Sequence, residues 1–193
     1  MKNLLITGFD PFGGACVNPA WQAVRLLPDT IGDFRLHKLG IPTVFGKAAE
    51  LVAETAEALN PQVILCIGQA GGRDAVTPER IAVNIRDAKI ADNAGNMPQG
   101  EFCIPGGDAA YFSTVPVERM AQAIRAVGIP GAVSNSAGAF VCNDTLYCLL
   151  HRFRDTDVRV GFIHVPYAPE QGAPSMPITT TAKALEAAIR CLG

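Results

Sequence analysis

No run of like charge interrupts this chain, and its 16 basic and 18 acidic side chains leave a formal net charge of −2. A surface so balanced offers no electrostatic footprint for nucleic acid or an anionic membrane. Cysteine pairs at redox or zinc spacing are missing too. Cys16, Cys66, Cys103, Cys142, Cys148 and Cys191 are scattered, with no C-x-x-C and no Cys/His cluster, which speaks against a zinc module and a metal cofactor. In a reducing compartment these six are expected to be free thiols. Long apolar runs are also lacking: Leu4-Leu5-Ile6 is followed at once by Gly8 and Asp10, too little for a membrane span or a signal peptide, so a cytoplasmic location is expected. Neither Gly68-Gln69-Ala70-Gly71-Gly72 nor Phe12-Gly13-Gly14 fits a nucleotide-binding fingerprint. There is no internal repeat and no low-complexity tract.

What is present suits a small enzyme. With 193 residues and 49% hydrophobic content, the chain can fill one core and is too short for two ordinary ones, so residues 1–193 are expected to form a single α/β domain. Apolar β-rich runs alternate with helical patterns. Strands are expected at 4–7, 34–39, 63–67, 80–85, 132–134 and 160–165, and helices at 19–27, 44–59, 117–127, 140–153 and 179–192. Asn18-Pro19 reads as a helix cap followed by proline at the first helical position. The stretch from Asp92 to Gly107, rich in Gly, Pro and Asn, is the longest expected loop, either a hairpin or partly mobile. In a mostly parallel sheet, ligands bind beyond the carboxyl ends of the strands. Gly8–Gly14, Gly68–Arg73, Asn135–Gly138 and His164–Tyr167 are the segments that fall there.

Cys142 lies where a glycine turn leads into a helix, and a thiol in the first helical turn feels the positive end of the dipole, which favours the thiolate. Cys66 and Cys191 read as core, Cys148 points elsewhere on the Cys142 helix, and Cys16 and Cys103 are weak loop candidates. Of three histidines, His164 at the end of the last strand is best placed to meet Cys142, while His151 sits near a helix end as a cation would. The carboxylate that orients the imidazole is either Asp74 or Glu79 on these grounds. Ser136, one residue short of a G-x-S-x-G elbow, with His164 is a competing arrangement. Phe9 and Phe12 flank a turn at the same edge, where exposed rings would serve a ligand or pack on one another, with core packing an equal alternative.

These residues resemble the pyroglutamyl peptidase I (pyrrolidone carboxyl peptidase) family of cysteine peptidases. The likeness rests on Leu5 to Gly14 with Asn18-Pro19, on Gly68 to Arg73 with Glu79-Arg80 and Asn84, on Ala137-Gly138 with Phe140 to Asn143, and on Gly161 to Tyr167. It implies a three-layer α/β/α sandwich with a mostly parallel central sheet, assembled as a homotetramer without cofactor. The implied reaction is hydrolysis of the bond after an N-terminal pyroglutamyl residue of a peptide, through a thioester. Carried onto this chain, it implies a triad of Cys142, His164 and Glu79, a ring pocket lined by Phe9 and Phe12, and substrate contacts from Asn18, Gln69 and backbone around Phe140. One departure stands out: Asp87-Ala88-Lys89-Ile90-Ala91-Asp92-Asn93 carries Lys89 where relatives commonly have arginine near the active site, keeping the charge without the planar fork. Two other readings are a Ser136 hydrolase and a non-catalytic or phosphorylase-like small-molecule binder on a similar scaffold.

Overall fold

The computed structural model describes all 193 residues, Met1–Gly193. Its apolar runs become strands β1 (Lys2–Phe9), β3 (Phe34–Ile41), β4 (Val63–Gln69) and β10 (Arg159–Val165), with the two-residue strands β2 (Thr30–Ile31) and β5 (Thr77–Pro78) at the edges. The sheet order is β2-β3-β1-β4-β10-β5. The four central strands are parallel and the two edge strands antiparallel. Helices α1 (Pro19–Leu26), α3 (Val117–Ala126) and α5 (Ile178–Arg190) cover one face, and α2 (Lys47–Leu59) and α4 (Val141–Phe153) cover the other. The result is the expected α/β/α sandwich. No helix is long and apolar enough to cross a membrane.

The strands are apolar on both faces because both are covered. Leu4, Ile6, Leu65, Ile67, Ile163 and Val165 belong to the core under α1, α3 and α5. Leu5, Phe9, Ile64, Cys66, Val160 and Phe162 belong to the core under α2 and α4. Strand alternation therefore directs Gly68 and His164, each two residues beyond a member of the second set, toward α4.

Local signals explain where the helices start and stop. Asn18 Oδ1 accepts the Ala20 N–H at 3.0 Å with Pro19 following, and α2 ends on Asn60 in the left-handed region at φ 50°, as a C-cap requires. Two expected strands are corrected. Only Ile81–Val83 of the 80–85 segment is a strand (β6), and it pairs with β9 (Ala110–Phe112) in a separate ribbon rather than in the main sheet. The 132–134 segment forms no ladder: Ser134 bridges Glu79, and Gly131 just before it bridges Val76. Pro78 and Pro130 flank those bridges and have no N–H to extend them.

The long loop is more ordered than its composition implies. β8 (Gln99–Glu101) pairs with β7 (Arg86–Asp87). Buried Asp92 accepts from the backbone of Phe45, Ala94 and Asn96 and from the Asn96 side chain, all at 2.8–2.9 Å. Asp10 ties this loop to the turn after β1: its Oδ1 accepts from Thr43 N at 2.7 Å and from Asn93 Nδ2 at 3.0 Å.

The turn after β1 also depends on Gly8, because a Cβ there would lie 2.6 Å from Trp21 Cα and 2.8 Å from Trp21 N in the backbone of α1. Gly8→Ala is expected to destabilise the fold by about 1–3 kcal/mol, as overpacking against a rigid neighbour does. Urea unfolding measures it, and an unchanged midpoint would show that α1 can move away freely.

Candidate active site

The candidate groups converge at the carboxyl ends of β1, β4 and β10, on the α4 side of the sheet. His164 is buried at 3% exposure and pairs with Gly68 across the parallel ladder. A Cβ on Gly68 would stand 2.9 Å from Cys142 Sγ and 2.7 Å from the Phe162 ring. The absence of a side chain at 68 thus makes the space in which the thiol rests, beside the strand that carries His164. The Phe162 and His164 rings lie 4.8 Å apart between centroids, completing the packing around the imidazole.

Glu79 has no exposed surface and accepts from His164 Nδ1 at 2.7 Å. Arg73 Nη1 binds the same oxygen, Oε1, at 2.6 Å and also lies 2.6 Å from Thr77 Oγ1. Arg73 Nη2 donates to the Ser136 carbonyl at 3.0 Å. The second oxygen, Oε2, is buried without a bonded partner. Asp74 is exposed, so Glu79 is the carboxylate that meets the imidazole. Ser136 is exposed, its hydroxyl accepts from Gly138 N at 3.2 Å, and it makes no bond to His164. The serine arrangement left open by the sequence is therefore not assembled.

Cys142 is the second residue of α4, after a turn in which Gly138 holds φ at 78°. The N–H groups at the start of a helix have no intrahelical acceptor, so they face the space in front of the thiol. Two neighbours fix this helix end and carry no such signal in the sequence. Buried Asn143 accepts from Val83 N at 2.9 Å and donates to the carbonyls of Val83 and Ile85 at 2.9 and 3.0 Å. Asp144, with no exposed surface, binds Arg86 Nε at 2.6 Å and Gly46 N at 2.7 Å. A buried polar pair directly after a candidate nucleophile is the feature that would have found them.

The ring residues divide. Phe12 and Phe140 are half-buried and adjacent, with centroids 5.9 Å apart, and Phe45 meets Phe140 edge-on at 5.2 Å. Phe9 is 2% exposed and packs on Phe162, the core-packing alternative, whereas Phe12 keeps a partly exposed face. Asn18, expected at or near the pocket, caps α1 through Oδ1 and donates to the Asp10 carbonyl at 3.0 Å through Nδ2, which ties it to the turn after β1. Gln69 Oε1 accepts from Gln171 Nε2 at 2.9 Å, which leaves its own Nε2 free to donate. Lys89 is exposed and lies between Ala88 and Ile90, on a segment held to the Cys142 turn by Asp87 N to Ala139 O at 2.9 Å.

A cavity of about 580 Å³ opens beside these groups, lined by Phe12, Gly14, Cys16, Gln69, Ile90, Tyr167 and Glu170 among others. A second hollow of about 510 Å³ between α2 and α4 holds none of the candidate residues. Nowhere do three or more His, Cys, Asp or Glu side chains gather as metal ligands would.

Burial, with the nearby Glu79 charge, pushes the Cys142 thiol up to about 12. Desolvation of this half-buried thiol opposes the thiolate that the helix start favours. Burial also lowers His164 below its ordinary 6.5, against the upward pull of Glu79. Burial by itself would raise the Glu79 carboxyl, but the bond and charge of His164, together with Arg73, hold it below 4.5. The thiol is thus shifted up, and the imidazole and the carboxyl are both shifted down.

A thiol, an imidazole and a carboxylate at the carboxyl edge of a parallel sheet are the equipment of a cysteine hydrolase. The pyroglutamyl peptidase family profile matches residues 2–192. The pyrrolidone-carboxylate peptidase of Escherichia fergusonii is 49% identical over 98% of this chain and 92% of its own length. That of Bacillus thuringiensis is 46% identical with the same coverage. Among solved structures, pyroglutamyl peptidase I from Bacillus amyloliquefaciens superposes with a TM-score of 0.96 at 44% identity, covering 100% of this chain and 97% of that one. The pyrrolidone carboxyl peptidase of Thermococcus litoralis gives 0.95 at 35% identity, covering 100% and 93%. The chain belongs to the pyroglutamyl peptidase family of cysteine peptidases.

The depressed groups fix the sign of the pH response. His164 stays neutral above 6.5 and takes a proton only as pH falls through its lower folded value, so its contribution to stability is present above 6.5 and lost below. Glu79, also lowered, loses its contribution as pH falls through its own folded value, below 4.5. Both effects weaken the fold and the base in acid. A protonated resting thiol makes a second, sharper expectation: inactivation by iodoacetamide should keep accelerating well past pH 9 instead of saturating near neutrality. A plateau below pH 7 would mean that the helix start wins after all.

Proposed function

We propose that the chain removes N-terminal pyroglutamate from peptides with Cys142 as nucleophile, His164 as base and Glu79 as its orienting carboxylate. The single observation that carries this reading is the buried 2.7 Å bond from His164 to Glu79 beside a thiol that occupies the space left by Gly68. His164 takes the thiol proton as Sγ attacks the pyroglutamyl carbonyl carbon, and the electron pair of the C=O moves to oxygen. N–H groups at the start of α4 stabilise that oxyanion. Collapse breaks the C–N bond, the protonated imidazole gives its proton to the departing amine, and a thioester remains. Water, deprotonated by the same imidazole, then releases pyroglutamate and the free thiol.

The lactam ring lies against Phe12 and Phe140, with Phe9 as buried support behind them. Gln69 Nε2 and backbone groups around Phe140 bond its polar edge, Lys89 supplies positive charge at the rim, and Asn18 acts through the turn it caps. Such a pocket suits a flat neutral ring and no free α-ammonium group. Cytoplasmic location fits six unpaired cysteines. The family resemblance carries a homotetramer, for which the exposed Met97, Phe102 and Phe112 side chains supply apolar surface to cover. Light scattering that gave a monomer mass at micromolar concentration would remove the assembly from this reading.

Cys142→Ala and Cys142→Ser are expected to abolish turnover of a fluorogenic pyroglutamyl amide with the fold intact, and Ser136→Ala to leave turnover near wild type. For the wild-type enzyme, kcat/KM for the matched prolyl amide is expected to be lower by roughly four orders of magnitude or more, since a prolyl ring lacks the lactam carbonyl and carries a cationic nitrogen. Comparable values for the two amides would sink the pocket assignment, and an active Cys142→Ala would sink the nucleophile.

A further inference from the structure

Arg73 belongs to none of the roles above, yet its guanidinium reaches three parts of the site at once. It shares Oε1 of Glu79 with His164, lies against Thr77 Oγ1 in β5, and holds the Ser136 carbonyl in the turn that runs into Cys142. It is partly exposed while Glu79 is fully buried, so it brings a positive charge from the surface inward to a carboxylate that water cannot reach. We propose that Arg73 is a positioning residue of the peptidase reaction, which fixes the Glu79 carboxylate for His164 and keeps the imidazole neutral at the pH where it must accept the thiol proton.

The physical case rests on competition for one oxygen. A buried, ionised carboxylate alone would stabilise imidazolium strongly and draw a proton onto His164 before the substrate arrives. A second cation on the same oxygen takes part of that negative potential, so the histidine keeps its orienting bond without being held protonated. The charged and titratable groups around the imidazole are few. Glu79 faces it from the chain after β5 and Arg73 from the loop after β4; Cys142 of α4 lies against Gly68, the ladder partner of His164, with Cys66 of β4 near the thiol. Of these only Arg73 is a permanent cation. Its charge disfavours imidazolium, which keeps the resting ring free to accept a proton, and favours the thiolate, which eases departure of the proton from Sγ during attack. The fork geometry adds a mechanical role: one nitrogen serves the carboxylate, the other the turn before the nucleophile, so the base and the nucleophile are held to one planar group.

This inference rests on the triad reading, and its test is chosen so that the two can fail separately. The pH dependence of kcat/KM for a pyroglutamyl amide is measured for wild type, Arg73→Gln and Arg73→Lys. In parallel, the His164 ring is titrated by NMR with labelled histidine in a Cys142→Ala background, where only three histidines need assignment. Arg73→Gln keeps a donor for Glu79 but loses the charge, and its acid limb and the His164 titration are expected to rise together by about one pH unit. KM should stay close to wild type while kcat falls. Arg73→Lys restores the charge without the fork, so its acid limb returns to the wild-type position while kcat remains reduced. Arg73→Gln with a wild-type acid limb and an unmoved His164 titration would overturn the proposal, leaving a purely structural arginine. Should Arg73→Gln not fold, Arg73→Lys decides alone: an acid limb displaced upward although the charge is kept also overturns it. Turnover by Cys142→Ala would instead refute the triad and leave the NMR titration as the readout for Arg73.

Discussion

One carboxylate oxygen, Glu79 Oε1, is where the architecture of this protein converges. It is fully buried and accepts from both His164 and Arg73. An unpaired charge in that position would cost several kcal/mol in a real protein interior. Its two donors come from chain segments that only the completed sheet brings together: His164 from β10 and Arg73 from the loop beyond β4. Correct strand order is therefore a condition for satisfying the charge, and the satisfied charge in turn locks β5 against β10. The antiparallel pairing of Ile163 with Pro78 and His164 with Thr77 is short, and the ionic contact reinforces it.

Cys142 is held in place by a different kind of restraint. Asn143 closes three hydrogen bonds onto the 83–85 backbone, and Asp144 joins Arg86 to the start of α2 through Gly46. Both side chains are inaccessible to water, where each satisfied bond is electrostatically stronger and each lost one more damaging. The first turn of α4 is thus anchored independently of the sheet edge it faces. A thiol carried on such a helix end and a histidine carried on a strand keep their mutual geometry only because neither element can shift alone.

The elements long enough to show a period were legible in the sequence, as were the groups at strand ends. β1, β3, β4 and β10 and all five helices lie where apolar patterns and caps put them, and His164 and Cys142 stand at the edge that a parallel sheet reserves for ligands. What was not legible depends on contacts distant in sequence. β5 has two residues and exists only because β10 lies beside it. Ile81–Val83 has a strand pattern, but which sheet it joins is decided by β9, about thirty residues on. Phe9 and Phe12 look alike on either side of a turn, yet strand alternation sends Phe9 into the core. Physics along the chain did not separate Asp74 from Glu79, and the family resemblance favoured Glu79. In three dimensions burial separates the two acids at once. For Cys142 the helix start that favours the thiolate is visible in sequence, whereas the packing that pushes the thiol up is not.

That packing has a consequence for chemical durability. Peroxide and other oxidants attack thiolate far faster than thiol, and a sulfenic acid at the nucleophile would halt the enzyme. A Cys142 thiol pushed up in this way is held in the form less open to oxidation. Exposed Cys16 at the rim of the neighbouring cavity has no such shelter. Half-buried Cys142 draws its protection from the raised thiol, which keeps it in the less reactive form.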